Sequence, residues 1–217
     1  MGSAKKVTIG YKYYMGIHMG LCRGPINALV AIDAGGKRVW DGNMGASGTI
    51  TIAKPNLFGG EKKEGGIDGT LHVLMGEPTQ LAPTPLAEML GGNVPGFRGM
   101  CTLFFDGQVS SMSPYVKPWK MRVRRTTAGW DGPPWYPERA MIPLSGGAIH
   151  AANPAHLIYE CLTNRQWSRG MPRDRIHDAS FRAAADALHA EGFGLCLRWA
   201  RQETVAAFIQ AVLDHIG

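Results

Sequence analysis

The frequent glycines and prolines are the feature that most limits how the first 150 residues can fold. The chain has 29 glycines and 14 prolines among 217 residues, and many of them separate short runs of β-branched and aromatic residues. Runs of this kind, bounded by turn-forming residues, are typical of strands. We therefore expect a β-rich region with glycine-rich strands and inserted loops over residues 1–150.

Individual strands can be predicted within this region. Residues 28–32 and 37–40 flank Gly35-Gly36 and are predicted to form a hairpin. The other predicted strands are residues 7–19, 49–52, 70–75 and 99–105, and the alternating segment 117–125. A short helix is expected within residues 83–90, ended by Gly91-Gly92. The prolines of residues 129–137 exclude regular structure there, because each removes a backbone donor.

The pattern changes near residue 150, where apolar residues begin to recur at helical spacing. The predicted order is helix, helix, strand and helix, at residues 154–163, 179–190, 193–199 and 203–216. Asn153-Pro154 has the form of a helix start, Asp178 is predicted to cap the second helix, and Gly192 to stop it. We therefore predict an α+β fold, with a smaller α/β region over residues 151–217.

The last helix carries the clearest periodicity. Its apolar positions form one continuous stripe, which we predict to be buried: Val205, Phe208, Ile209, Val212, Leu213 and Ile216. A helix of this kind normally packs on a sheet. The only strand predicted nearby is residues 193–199, and a lone strand leaves its edges open to pairing with another segment.

Charge suggests one alternative function. The net charge is +6 and the pI about 9.3, and the alternative that this charge favours is a basic nucleic-acid-binding module. The densest basic cluster, residues 117–125, alternates basic and apolar side chains. That alternation favours a strand with a solvated basic face, so we expect no specific nucleic-acid partner.

No motif of catalysis or of metal binding is present. The four cysteines form no C-x-x-C pair and the histidines no H-x-x-x-H pair. A G-x-S-x-G elbow and a phosphate-binding loop are also lacking. We therefore predict no catalytic residues, no cofactor and no metal, and regard the chain as a non-enzyme.

No apolar run reaches the roughly 18 residues of a membrane span. The polar start at residues 1–6 lacks a signal peptide, so synthesis in the cytoplasm is expected.

One loop is a candidate for protein contacts. Residues 56–66 read NLFGGEKKEGG, with two apolar residues and four charges between glycine pairs. The candidate contact residues are Leu57, Phe58, Glu61, Lys62, Lys63 and Glu64. We predict a projecting loop that binds another subunit or a neighbouring protein. An ordinary solvated hairpin explains the composition equally well.

Seven segments of the chain carry a resemblance to a known family: residues 10–24, 56–69, 95–99, 113–119, 153–162, 178–194 and 214–216. They resemble the tail-tip, or central tail hub, proteins of long-tailed phages and prophages, a family related to the phage lambda tip attachment protein. They occur in the family's order and span nearly the whole chain, as in the N-terminal portion of much longer proteins.

The resemblance implies a virion structural protein at the distal tail end. It implies a homotrimer that closes the tail tube, contacts the distal tail and tape-measure proteins, and takes part in host attachment. No catalytic residues carry over from the family. Since family members continue beyond this point, the 151–217 region is expected to be truncated. The chain alone is then expected to be monomeric or weakly self-associating.

Overall fold

The computed structural model describes residues 10–217. It has an α+β fold with antiparallel sheets and a smaller helical part. The chain divides into two compact units between Arg124 and Arg125. The N-terminal unit therefore ends earlier than residue 150, where the sequence pattern changes, because residues 125–152 pack with the helices that follow them.

The described part of the N-terminal unit, residues 10–124, contains seven strands and one short helix. The strands are β1 (Lys12–Arg23), β2 (Ala28–Ala34), β3 (Lys37–Met44), β4 (Gly48–Lys54), β5 (Ile67–Leu74), β6 (Met100–Ser111) and β7 (Trp119–Arg124). They form two antiparallel sheets, with strand orders β1-β6-β5-β4 and β3-β2-β7. The predicted strands are confirmed, although residues 7–9 of the first prediction lie outside the described part.

The predicted hairpin of β2 and β3 is confirmed, with its turn at Gly35-Gly36. Gly35 and Gly36 have φ angles of 55° and 77°, a left-handed conformation that glycine adopts without steric cost. The inner faces of both sheets supply one hydrophobic core. Its centre holds fully buried side chains such as Leu29, Leu71 and Phe105.

The short helix α1 (Thr84–Met89) is also confirmed and lies against β1. Gly16 of β1 leaves space for the Met89 side chain. A Cβ atom at Gly16 would lie 2.5 Å from the Met89 sulfur, so a larger residue there would require the Met89 side chain to move.

The C-terminal unit contains three longer helices and a two-stranded sheet. Its elements are β8 (Met141–Leu144), β9 (Ile149–Ala152), α2 (Pro154–Thr163), α3 (Asp178–Ala190) and α4 (Val205–Ile216). The three predicted helices are confirmed. Asn153 caps α2 as predicted, since its side chain accepts a hydrogen bond from the Ala155 backbone N–H at 3.0 Å.

The predicted cap of α3 is wrong by one residue. His177 is the N-cap, and its Nδ1 accepts from the Ser180 backbone N–H at 3.3 Å. Asp178 is the first helical residue. Its carboxylate instead accepts hydrogen bonds from the Trp135 indole at 2.6 Å and from Arg182 at 2.6 Å.

The predicted strand at residues 193–199 is wrong. Only Leu195 pairs with the sheet, through two 2.9 Å backbone hydrogen bonds with Ala152. Leu195 and Trp199 pack against the cluster that contains Phe208 of α4. Phe193 and Leu197 are exposed, so the apolar composition that suggested a strand is only partly used in packing.

The predicted burial of the α4 stripe is confirmed only in part. Phe208 and Val212 are 8% and 2% exposed, and they pack with Cys161 of α2. Leu213 is 40% exposed, so it lies outside the cluster. The helix therefore packs mainly on another helix rather than on a sheet. None of the helices within residues 10–217 is long and apolar enough to cross a lipid bilayer.

Candidate protein-contact surfaces

The loop between β4 and β5 holds the six residues predicted to bind another protein. It is a compact series of turns. The Phe58 N–H donates to the Gly65 carbonyl at 2.8 Å, and the Gly65 N–H donates to the Gly60 carbonyl at 2.9 Å. Gly60 and Gly65 have φ angles of 74° and 70°, which explains why glycines frame the charged segment.

The two apolar residues of the loop contact the core of their own chain. Leu57 and Phe58 are half-buried and pack against the N-terminal core. Lys37 donates to the Leu57 carbonyl at 2.7 Å. The ammonium groups of Lys37 and Lys117 lie 6.0 and 5.8 Å from the Phe58 ring centroid, near the limit of a cation–π interaction. This pair therefore fixes the base of the loop.

The four charged residues form the outer part of the loop. Glu61 lies 2.5 Å from Lys12, and Glu64 lies 2.8 Å from Lys117. The hydrogen bond and charge of Lys12 hold the pKa of Glu61 below its ordinary value. Exposed ion pairs of this kind orient a loop more than they stabilise it. Lys62 and Lys63 are exposed at its tip, where a partner can reach them. The role of the loop in binding stays a prediction.

Strand β1 provides a second candidate surface. It is 12 residues long and lies at one edge of its sheet, with β6 as its neighbour there. Its core-facing side chains Met15, Ile17 and Met19 are only half-buried, whereas Leu103 of β6 is fully buried. No proline or charged residue lies between Tyr13 and Cys22. Bulges and a covering helix can protect a strand edge, and β1 has two register shifts and a contact with α1. Within residues 10–217, however, no other strand pairs with its outer edge.

Exposed apolar side chains collect where β1 begins. The Met112 N–H donates to the Tyr11 carbonyl at 3.0 Å, and both side chains are exposed. Tyr14 of β1 is also exposed, as is Tyr115 three residues beyond Met112. Large apolar groups of this kind, beside an open strand edge, are typical of protein–protein contact surfaces.

Strand β7 provides the basic face predicted from its alternating sequence. Lys120 and Arg122 are exposed, while Met121 and Val123 pack against the core. Arg124 donates to the side-chain oxygen of Asn43 at 3.0 Å. Two outward cations on an edge strand can attract a phosphate or a carboxylate.

The histidines do not assemble a site. His18 lies in β1 beside Phe97, with ring centroids 4.5 Å apart, and burial lowers its pKa. His156 lies in α2, in the other unit. Within residues 10–217, no group of three or more histidine, cysteine, aspartate or glutamate side chains is arranged to hold a metal ion.

Sequence reasoning missed an aromatic cluster in the C-terminal unit. Trp135 stacks on Tyr159 with ring centroids 4.4 Å apart, and Trp130 stacks on Tyr159 at 6.1 Å. Arg182 lies over the Tyr136 ring at 4.4 Å. The cluster joins the irregular segment before β8 to helices α2 and α3. Its only signal in the sequence is the density of tryptophan and tyrosine between residues 130 and 136.

Two comparisons with known proteins were negative. No protein-family model matches the chain, and a search of curated proteins finds no match.

Proposed function

We propose that the chain is a structural component of a phage or prophage tail tip. It forms part of the central hub that closes the tail tube, and it takes part in tail assembly and host attachment. The resemblance of seven sequence segments to tail hub proteins supports this function. The structural observation on which the proposal rests is that, within the described residues 10–217, β1 and β4 are the two edge strands of the four-stranded sheet.

The two edges suit a ring of identical subunits. A ring needs two different, complementary patches on each copy, and β1 and β4 are the two opposite edge strands of one sheet. All neighbouring strands of that sheet are antiparallel, so β1 and β4 run in opposite directions. Placing β1 of one copy beside β4 of the next therefore continues the antiparallel order. We propose that a trimer closes through this pairing when the other tail proteins are present.

Lysine substitutions at the two edges test the pairing. Tyr14→Lys in β1 and Thr51→Lys in β4 each place a charge on an exposed edge position, which disfavours strand pairing. Leu81→Lys is the matched control, because Leu81 is exposed and lies outside the strands. Each variant is co-expressed with the neighbouring tail proteins and measured by size exclusion with light scattering.

The expected result is a trimer-containing complex for the unchanged chain and for Leu81→Lys. Tyr14→Lys and Thr51→Lys should each shift the chain to smaller species while leaving its circular dichroism unchanged. If the unchanged chain and its three variants all assemble to the same extent, that result would contradict the edge-pairing arrangement.

A basic nucleic-acid-binding module is the second candidate function. The exposed Lys120 and Arg122 of β7 favour it. It predicts binding to duplex DNA that weakens steeply with salt and that weakens further in a Lys120→Ser, Arg122→Ser variant. Such binding, without a complex of defined size with tail proteins, would favour this function over the tail hub.

A further inference from the structure

Strands β1 and β6 place two cysteines directly opposite each other. Cys22 of β1 is the register partner of Cys101 of β6. Opposite residues of an antiparallel pair project to the same face, with Cα atoms about 4.5 or 5.5 Å apart. A disulfide requires a Cα separation of about 4.4–6.8 Å. The pair follows a register shift that leaves Leu21 without a Cα partner. The pairing of the two residues, together with the hydrogen bond between their thiols, suits a disulfide.

The two thiols also interact. A hydrogen bond with the Cys22 side chain is the main cause that raises the pKa of the Cys101 thiol, and burial is the second. Cys101 is fully buried, whereas Cys22 is half-buried. A reagent in solution therefore reaches Cys22 before Cys101.

The other two cysteines lack this arrangement. Cys161 is buried in the C-terminal unit, where burial raises the pKa of its thiol to about 12. Cys196 is exposed. In the strand pairings of residues 10–217, neither lies opposite another cysteine.

We propose that Cys22 and Cys101 form an oxidisable dithiol site that takes up a cross-strand disulfide from a small-molecule disulfide such as oxidised glutathione. Cys22 loses its proton to solvent, and its thiolate attacks one glutathione sulfur, so that the glutathione S–S bond breaks and one glutathione thiolate leaves. Cys101 then loses its proton and attacks the Cys22 sulfur, which releases the second glutathione. In total, two cysteine thiols are oxidised to one disulfide, and one oxidised glutathione is reduced to two thiols.

The disulfide fastens an edge strand to β6, its neighbour in the sheet within residues 10–217. The core-facing side chains of β1 are only half-buried, and its backbone forms a ladder with β6. A covalent link at the Cys22 end of this ladder opposes its separation. It also closes a long loop in the unfolded chain, which favours the folded state. This inference does not depend on the proposed function.

Thiol mapping of the full chain tests the site. Cys196→Ser serves as the background, because it removes the exposed thiol that could link two chains. This protein is incubated with oxidised glutathione, unfolded, treated with iodoacetamide and digested for mass spectrometry. The expected products are a linked peptide containing Cys22 and Cys101, and an alkylated Cys161. The melting temperature should rise on oxidation and return to its original value with dithiothreitol.

Single-cysteine variants give matched controls in the same background. With Cys101→Ser, the reaction should stop at a glutathione adduct on Cys22. With Cys22→Ser, Cys101 should remain alkylatable once the chain is unfolded. A stable glutathione adduct on Cys22 beside an alkylated Cys101, or no reaction at either residue, in the Cys196→Ser protein would overturn the proposal. Both of these outcomes are measured in the Cys196→Ser protein, which keeps Cys22 and Cys101. The test of the proposal therefore does not depend on whether Cys101→Ser folds.

Discussion

His156 is a buried imidazole in the aromatic cluster of the C-terminal unit. Its Nε2 lies 2.8 Å from the Tyr136 carbonyl, whereas its Nδ1 has no hydrogen-bond partner among the described residues. Burial lowers the pKa of His156, and this effect outweighs the opposing influence of the Tyr136 and Trp135 carbonyls. The folded state therefore favours the neutral ring.

This lowered pKa predicts that the C-terminal unit loses stability in acid. The unfolded chain binds a proton at a pKa of about 6.5, above that of the folded state. The stabilising contribution is complete above that value and is lost as the pH falls through it towards the folded pKa. In chemical denaturation between pH 7.5 and 5, His156→Gln should reduce the loss, and His150→Gln, at an exposed position, should leave it unchanged. Equal pH dependence in all three proteins would contradict the account.

Phe208 is one of two buried residues of α4 in its packing against α2. It is 8% exposed and stacks on Trp199, with ring centroids 4.3 Å apart and an interplanar angle of 13°. Phe208→Ala should lower the free energy of unfolding by about 3 kcal/mol, from lost transfer energy and the cavity left behind. Leu213→Ala, on the exposed side of the same helix, should cost about 0.5 kcal/mol or less. Equal losses in urea denaturation would show that the face containing Leu213 is also covered.

At the scale of elements, the sequence predicts best where structure is decided locally. The β2–β3 hairpin follows from Gly35-Gly36, and α2 follows from the Asn153 cap and Pro154. The segment 193–199 has strand composition, but its pairing depends on partners that are distant in the chain. Strands β8 and β9 are four residues each, too short to produce a clear alternating pattern.

The contact loop shows the same limit. Its exposed charges were predictable from composition, since glycine pairs and alternating charges are typical of surface turns. The half-buried position of Phe58 was not, because it depends on Lys37 and Lys117, which are far from it in sequence. The pairing of Cys22 with Cys101 depends in the same way on the register of β1 and β6.

A separate prediction concerns Lys62 and Lys63 at the tip of the loop between β4 and β5. Lys62→Ser with Lys63→Ser should leave the fold unchanged, because both side chains are exposed. Deleting Glu61–Glu64 would be a less selective change, since the Glu64 carbonyl accepts from the Ser111 N–H at 3.1 Å. If the tip binds a tail protein, the double variant should reduce the yield of complete tails. The matched control is Arg198→Ser with Arg201→Ser, exposed cations in the other unit. Normal tail yields from the lysine variant would contradict a role for the loop.

At the scale of the whole molecule, the chain has two units with separate cores. The N-terminal unit combines two sheets, an open β1 edge and exposed apolar side chains at the start of that strand. The C-terminal unit is held by the aromatic cluster and by the packing of α2 with α4. In the proposed function, the surfaces that bind other chains therefore lie mainly on the N-terminal unit.

Immunogold electron microscopy tests the proposed tail-tip function most directly. Antibodies raised against this chain are applied to particles released after induction of the strain that encodes it, with particles from a deletion of the gene as the control. The account predicts gold label at the distal ends of tails, and tails that are absent or incomplete in the deletion strain. Complete, unlabelled tails in the parent strain, together with normal tails from the deletion, would contradict it.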